Sequence, residues 1–167
     1  PWDVAVEWTF GEGEEWANNS VHVPLVANLT DTNGDGDINV DDVPNVVVPT
    51  WDLAYELGSL VVLDGRNGDI VWRVDDIHGL GGHTVGDMDG DGLPDVLAFD
   101  SSRCPTLLSH LGERKWTATE CSSQNFTQST MADLTADGLP EVITEVGIYN
   151  GQTGELKVSF NHNFNIE

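Results

Sequence analysis

Basic residues are scarce in this chain. Lysine and arginine total 6 against 29 aspartates and glutamates, which gives a formal net charge of -23 over 167 residues. Nucleic-acid binding depends on lysine and arginine contacts with phosphates, so no nucleic-acid partner is expected. An anionic membrane surface is disfavoured for the same reason. The acidic excess has two compatible explanations, which are bound cations and an acidic surface adapted to salt.

Long apolar runs, helical patterns and catalytic motifs are also missing. No apolar run approaches the roughly 20 residues of a transmembrane helix, so no membrane span is expected. The 5 histidines lack HExxH or similar spacing, and the serines lack a nucleophile elbow, so we assign no catalytic residue. The chain begins at Pro1 without a methionine or a visible signal peptide, which is typical of a trimmed segment of a longer protein.

Cysteine is limited to Cys104 and Cys121, which lie on either side of a turn at Gly112. A hairpin that pairs Leu108 with Thr117 would bring the two cysteines opposite each other. Cross-strand partners in a hairpin are close enough for a bridge, so we predict a disulfide between them.

Three N-glycosylation sequons begin at Asn18, Asn28 and Asn125. Together with a disulfide, they favour a secreted, extracellular or cell-surface protein. We expect Asn125 to be the preferred glycan acceptor because it lies in a polar loop, and Asn18 to rank second. Asn28 ranks third because it also occupies a position where a metal ligand is expected.

Three copies of one acidic loop make up most of the chain. Each copy ends in a Pro-containing signature: Val43–Val46, Leu93–Val96 and Leu139–Val142. The first aspartates of the second and third loops, Asp87 and Asp133, are 46 residues apart. Short apolar runs bounded by Gly, Asp and Asn flank each loop and indicate β-strands. About four short strands per repeat of this length are typical of one β-propeller blade.

The second loop carries alternating carboxylates suited to a hard cation. Calcium takes about six to eight oxygen ligands, and intervening glycines let the backbone wrap around it. The predicted ligands are Asp87, Asp89, Asp91, the Leu93 carbonyl and Asp95. The alternative is an acidic surface turn, but carboxylates this closely spaced would repel each other without a cation.

The third loop is a weaker version of the second, with one carboxylate fewer because a threonine replaces an aspartate. Its predicted calcium ligands are Asp133, Thr135, Asp137, Leu139 and Glu141. A solvated turn is the alternative for this loop.

The first loop contains an insertion that matches an EF-hand or dockerin calcium loop position by position. Its predicted ligands are Asp31, Asn33, Asp35, the Asp37 carbonyl, Asn39 and Asp42. The flanking segments are rich in β-formers and broken by proline, whereas an EF-hand needs flanking helices. We therefore expect an EF-like loop grafted into the first repeat, with Asn28 aligned to Asp87.

The pattern Asp-x-Asp-Gly-Asp-Gly-x-Pro-Asp over Asp87–Asp95, followed by an apolar strand, resembles the FG-GAP/VCBS repeats. These repeats form blades of calcium-binding β-propellers in integrin α-subunit heads and secreted surface proteins. The resemblance covers about residues 21–160 and implies an all-β partial propeller of about three four-stranded blades. The expected units are residues 1–20 as the last strand of a preceding blade (Val4–Phe10) plus a linker, and blades at 21–79, 80–128 and 129–167.

These observations predict a non-enzymatic extracellular calcium-binding module with a structural, adhesive or assembly role. Expected partners are further blades of a longer chain, or neighbouring copies in an oligomer or filament, and an extracellular protein or glycan ligand stays open. The alternatives are a propeller domain of a secreted enzyme and a lectin-like carbohydrate binder. Asp64–Trp72 resembles the tryptophan-docking blades of quinoprotein dehydrogenases, but no vicinal cysteine pair is present. We expect Trp72 and Trp116 to pack between blades.

Overall fold

The structure is a computed structural model that describes residues 5–12, 15–17, 19–51 and 57–160. Within these ranges the chain forms 12 β-strands and a single turn of 3-10 helix at Glu15–Ala17. No helix there has the length and apolar character needed to cross a membrane. The predicted all-β class is confirmed.

The strands form three four-stranded antiparallel sheets, each in chain order. The first sheet contains β1 (Leu25–Ala27), β2 (Asn45–Trp51), β3 (Leu57–Asp64) and β4 (Ile70–His78). The second contains β5 (Thr84–Gly86), β6 (Asp95–Phe99), β7 (Pro105–Leu108) and β8 (Arg114–Thr117). The third contains β9 (Ser129–Ala132), β10 (Glu141–Thr144), β11 (Gly147–Asn150) and β12 (Leu156–Ser159). Each sheet lies inside one of the three predicted repeat units.

The strand register aligns the three sheets residue by residue. The last residue of each first strand pairs with the first residue of each second strand: Ala27 with Asn45, Gly86 with Asp95, and Ala132 with Glu141. Asn28, Asp87 and Asp133 are therefore equivalent, since each follows directly. This register supports the predicted alignment of Asn28 with Asp87.

Successive sheets share hydrophobic cores, and β6 contributes to both of them. Val96 and Ala98 pack with the first sheet, whereas Leu97 packs with the third. Neighbouring residues of a strand point to opposite faces, so alternate residues enter alternate cores. All of β6 is buried, which explains its continuous apolar sequence where a one-faced sheet would alternate.

Three tryptophans repeat one contact from sheet to sheet. Their indole Nε1 atoms donate to turn carbonyls: Trp8 to Gly65 at 3.3 Å, Trp72 to His110 at 2.8 Å and Trp116 to Gly151 at 2.9 Å. Each ring covers a glycine at positive φ, namely Gly68, Gly112 and Gly154. A Cβ atom at these glycines would lie 2.6, 2.9 and 2.5 Å from the ring. The predicted packing of Trp72 and Trp116 between units is confirmed.

The predicted strand over Val4–Phe10 does not form in residues 5–10, and Val4 lies outside the described residues. No strand of the described ranges pairs with this segment, so its backbone lacks the neighbour that a strand requires. Trp8 nevertheless makes the contact that Trp72 and Trp116 make from fourth strands. The segment thus has the side-chain contact of a preceding fourth strand without its backbone pairing.

The predicted disulfide between Cys104 and Cys121 is confirmed, with a Cα–Cα distance of 4.1 Å. The predicted hairpin register is wrong, because Thr117 pairs with Thr106 instead of Leu108. The turn spans residues 109–113 and is centred before Gly112, so Leu108 pairs with Arg114, and a β-bulge then shifts the register by one residue between Leu107 and Leu108. The chain leaves the sheet after Thr117, and this departure brings Cys121 to Cys104.

Candidate metal centre

The second loop is shaped by hydrogen bonds from its backbone to its first aspartate. Asp87 Oδ1 accepts from Gly90 N at 2.7 Å, and Oδ2 accepts from Gly92 N at 3.0 Å. Both glycines adopt positive φ, 80° and 85°, a conformation that costs glycine little. Leu93 N donates to Asp91 Oδ1 at 2.8 Å, and this bond is the main reason that the pKa of Asp91 is lowered. The loop therefore curls with its carboxylates oriented by the main chain.

Three carboxylates converge at the base of this loop. Oxygen atoms of Asp87, Asp89 and Asp95 all lie within 4.8 Å of one another, the single such group of His, Cys, Asp or Glu side chains in the described ranges. Asp95 begins β6 and is 0% exposed. Its Oδ2 accepts from Met88 N at 3.2 Å, whereas its Oδ1 has no aligned hydrogen-bond donor. Burial disfavours the charged form of a carboxylate unless a cation lies beside it.

The ammonium of Lys115 neutralises part of this cluster. Lys115 Nζ lies 2.6 Å from Asp95 Oδ1, 2.7 Å from Asp89 Oδ2 and 3.1 Å from Asp91 Oδ2. Burial raises the pKa of Asp95, and the ion pair with Lys115 only partly offsets this effect. Asp91 is connected to the cluster because it contacts the same ammonium. Leu93 is half-buried, and its carbonyl stays a predicted ligand.

A β-bulge directs Lys115 to the cluster. Leu108 pairs with Arg114 and Leu107 pairs with Trp116, so Lys115 is the extra residue of β8. Bulges re-aim side chains, and here the ammonium reaches a loop 24 to 26 residues earlier in the chain. Sequence reasoning missed this residue. The available signal was that the chain has just two lysines, Lys115 and Lys157, at equivalent positions.

The third loop has the same backbone framework and a different closure. Asp133 accepts from Asp137 N at 3.2 Å and from Gly138 N at 3.0 Å, and Leu139 N donates to Asp137 at 3.0 Å. Thr135 Oγ1 donates to Glu141 Oε1 at 3.4 Å. The predicted ligands thus lie in one loop, but no three carboxylates converge there as they do in the second loop.

In the first sheet, as in the third, a threonine hydroxyl donates to the side chain that begins the second strand. Thr30 Oγ1 donates to Asn45 Oδ1 at 3.0 Å, and Leu29 N donates to the same oxygen at 2.9 Å. Thr30 and Thr135 occupy the position of Asp89 in the common register. A threonine hydroxyl donates a hydrogen bond to the side chain that begins the second strand, whereas a carboxylate at the same position has no hydroxyl to donate. The second sheet therefore differs from the others in placing a carboxylate, Asp89, where they have a threonine, and its cluster could hold a metal ion.

The inserted EF-like loop repeats the curl of the second loop. Asp31 Oδ1 accepts from Gly34 N at 2.6 Å and Oδ2 accepts from Gly36 N at 2.9 Å, the pattern of Asp87. Asn33, Asp35 and Asn39 each accept a backbone N–H two residues ahead, at 2.9, 2.9 and 2.8 Å. Asp37 supplies the N–H that Asp35 accepts, and its predicted role is through its carbonyl.

Asp42 closes this loop from its twelfth position. Its carboxylate accepts from Asn39 N at 2.9 Å and from Thr32 N at 2.6 Å. These backbone bonds, that of Asn39 first, lower the pKa of Asp42, although burial opposes them. The carboxylates of the loop are held separately by the main chain and do not form a cluster like that of the second loop.

The predicted glycan acceptors have different surroundings. Asn125 is exposed, and its Oδ1 accepts from Arg103 Nη1 at 3.0 Å. Asn28 is half-buried, and its Nδ2 donates to the Asp42 carbonyl at 2.9 Å. A glycan on Asn28 would attach to this donating nitrogen. Asn18 lies outside the described residues, and occupancy of all three stays a prediction.

Comparisons with known proteins identify a shared fold. No protein-family model matches the chain, and no curated protein matches its sequence. The crystal structure of the V. cholerae biofilm matrix protein Bap1 superposes with a TM-score of 0.81 at 24% identity, over 93% of this chain and 28% of that chain. Rhamnogalacturonan lyase YesW gives a TM-score of 0.37 at 16% identity, over 83% of this chain and 31% of that chain. The chain therefore has the fold of a part of Bap1 and spans 28% of its length.

Proposed function

We propose that this chain is a calcium-binding β-propeller segment of the FG-GAP/VCBS type, with a structural, adhesive or assembly role outside the cell. The observation that carries the proposal is the convergence of Asp87, Asp89 and the buried Asp95. Hard carboxylate oxygens at this spacing suit calcium, which binds at about 2.3–2.6 Å with flexible geometry. Asp91 and the Leu93 carbonyl would complete the set.

The three loops differ in expected affinity. We place the primary ion in the second loop, where three carboxylates converge and Asp89 stands in place of the threonine of the other loops. The EF-like loop is proposed as a second calcium site because its six predicted ligands follow the EF-hand spacing. The third loop is the weakest candidate, since Thr135 already hydrogen-bonds to Glu141.

Three features support a propeller arrangement of the sheets. Each sheet has four antiparallel strands in chain order, each packs on the next through equivalent positions, and each junction repeats the tryptophan contact. Part of the solved structure of Bap1 superposes on this chain, so another protein has the same arrangement of sheets. The sheets are then blades at residues 21–79, 80–128 and 129–167, with residues 1–20 supplying a fourth-strand contact from Trp8 and a linker.

An extracellular, non-enzymatic role rests on two further observations. The Cys104–Cys121 disulfide is typical of oxidising compartments, and Bap1 is a biofilm matrix protein by name. We propose Asn125 as the preferred glycan acceptor, ahead of Asn18 and Asn28. No observation favours the enzyme or lectin alternatives.

Assembly is proposed from the outer face of the third sheet. Leu134, Ile148 and Val158 are equivalent in register to Met88, Leu107 and Trp116, which pack against the third sheet. Leu134 and Val158 are 54% and 48% exposed, and the three residues line a groove of about 460 Å³. Either a further blade or a neighbouring copy would cover this face as the third sheet covers the second.

Thermal unfolding with calcium and with EDTA tests the calcium proposal. A ligand that binds the folded state alone stabilises it by about 2.7 kcal/mol at a hundredfold excess over its dissociation constant. We expect calcium to raise the melting temperature of the wild type and of Thr135→Ala, and to have a much smaller effect on Asp89→Ala. Identical melting of the wild type in calcium and in EDTA would contradict the proposal.

A further inference from the structure

Within the described part of the chain, Lys115 is the single residue that forms ion pairs with the carboxylates of the second loop. Its ammonium lies 2.6 Å from Asp95 Oδ1 and 2.7 Å from Asp89 Oδ2. These oxygens belong to two of the three carboxylates that converge in the candidate site. The side chain is 22% exposed, so it reaches the cluster from a partly open side.

The equivalent positions of the other two sheets do not make this contact. Of the two bulges of β4, the one equivalent to that of β8 falls at Val71, and the bulge of β12 falls at Lys157. Lys157 is 48% exposed and pairs with Glu155 at 3.2 Å, beside its own turn. The lysine contact therefore occurs where two carboxylates face each other, and not where Thr30 or Thr135 supplies a hydroxyl.

The ammonium and a calcium ion exclude each other. A calcium ion held by Asp89 Oδ2 and Asp95 Oδ1 would lie about 2.3–2.6 Å from these oxygens. Lys115 Nζ lies 2.7 and 2.6 Å from the same two atoms, so the two volumes overlap. Two cations at van der Waals overlap would also repel strongly. The ammonium must leave before calcium binds. The side chains of Lys115 and of its partner Asp91 are 22% and 43% exposed, so the ammonium can move from the cluster into solvent.

We propose that Lys115 is a tethered cation that closes the second loop without calcium and is displaced when calcium binds. This inference rests on the proposed calcium function. Two effects of opposite sign follow from one side chain. The lysine stabilises the calcium-free protein by compensating the buried Asp95, and it weakens calcium binding because the ion must break the lysine contacts first. The site would therefore need a higher calcium concentration for half-saturation than the same carboxylates would need without the lysine.

The displacement also affects the junction with the third sheet. The next residue, Trp116, donates to Gly151 O at 2.9 Å, and Gln152 Nε2 donates to Asp89 O at 2.8 Å. The lysine, the loop and the turn of the third sheet thus form one connected set. The junction between the second and third sheets would have to stay packed both with the lysine in the loop and with calcium in its place.

The test compares Lys115→Met with wild type by calcium calorimetry and by thermal unfolding in EDTA. Methionine keeps an unbranched apolar stem and removes the ammonium. We expect calcium to bind about tenfold more tightly to the variant, the change expected from removing a competing contact of about 1.4 kcal/mol. In EDTA the variant should melt below the wild type, because Asp89 and Asp95 lose their counter-ion.

Arg114→Met is the matched control. It removes a positive charge from the adjacent residue, whose guanidinium contacts the carbonyls of Asp75 and Asp76 at 3.4 and 3.5 Å instead of the cluster. Its calcium affinity should stay close to that of the wild type, which separates displacement from a general charge effect.

Two results would overturn the inference. If Lys115→Met binds calcium no more tightly than the wild type or Arg114→Met does, displacement is wrong while the calcium function stands. If none of the three proteins binds calcium, the proposed function fails and the inference fails with it. Binding by the wild type therefore distinguishes the two failures.

Discussion

At the scale of single residues, the third loop contains a conformation that its side chain disfavours. Ala136 has a φ of 58° where the equivalent Gly90 has 80°. A left-handed backbone costs a non-glycine residue about 1–2 kcal/mol. The third loop thus keeps the curl of the second loop against a local penalty, so the curl is imposed by the hydrogen bonds to Asp133.

Ala136→Gly should stabilise the protein by about 1 kcal/mol, because glycine adopts this φ without strain. Urea unfolding measures the change. Gly92→Ala is the control of opposite sign, since Gly92 has a φ of 85° and no atom within 4 Å of an added Cβ. A loss of stability in Ala136→Gly would show that the entropy of the unfolded chain outweighs the relief of strain.

At the scale of elements, the tryptophan contact joins each sheet to the next. The side chain of Trp116 projects from β8 and covers Gly154 in the turn before β12. A Cβ atom added to this glycine would lie 2.5 Å from the indole ring. The glycine therefore meets two demands, a positive φ for the turn and space for the indole. The repetition at Trp8 and Trp72 indicates that the contact is a property of the junction and not of one sheet.

Gly154→Ala should destabilise the protein by about 2–4 kcal/mol, because a clash with the ring adds to the cost of positive φ. Gly138→Ala is the matched control, since its φ is 90° and its Cβ would meet no atom within 4 Å. We expect the control to lose about 1 kcal/mol. Chemical denaturation followed by tryptophan fluorescence compares the two, and equal losses would show that the indole moves aside freely.

At the scale of the whole molecule, the outer face of the third sheet is an exposed apolar surface that another sheet or another copy could cover. Its fourth strand has Val158 where the first and second sheets have Trp72 and Trp116. The face therefore keeps the apolar character of a junction without the tryptophan that docks the next turn. Such surfaces are normally covered, by a further sheet of the same protein or by a neighbouring copy.

Light scattering in calcium should show concentration-dependent association of this chain, reduced by Val158→Asp, because a carboxylate on the face opposes burial. Val23→Asp is the control, since Val23 is 79% exposed and lies outside that face. Equal association of the two variants would place the contact elsewhere. A wild-type chain that stays monomeric at all concentrations would contradict association through neighbouring copies.

The sequence by itself determined the features that local spacing controls. The repeated loops, the all-β class and most strand positions follow from short apolar runs and turn residues, whose effects act over a few neighbours. The carboxylates Asp87, Asp89 and Asp95 could be named for the same reason, since one tight loop brings them together. The disulfide needed just the knowledge that two cysteines flank one hairpin.

The tertiary structure alone decided which distant groups meet. Pairing between strands or sheets decides where the bulge at Lys115 falls, which residue Thr117 faces and where Trp8 docks. Local periodicity does not encode such pairing. The closure of two loops by Thr30 and Thr135 likewise appears once the register aligns them with Asp89. A side chain's partner is set by the geometry across the sheet, so the contact between Lys115 and the carboxylates of the second loop became visible only in three dimensions.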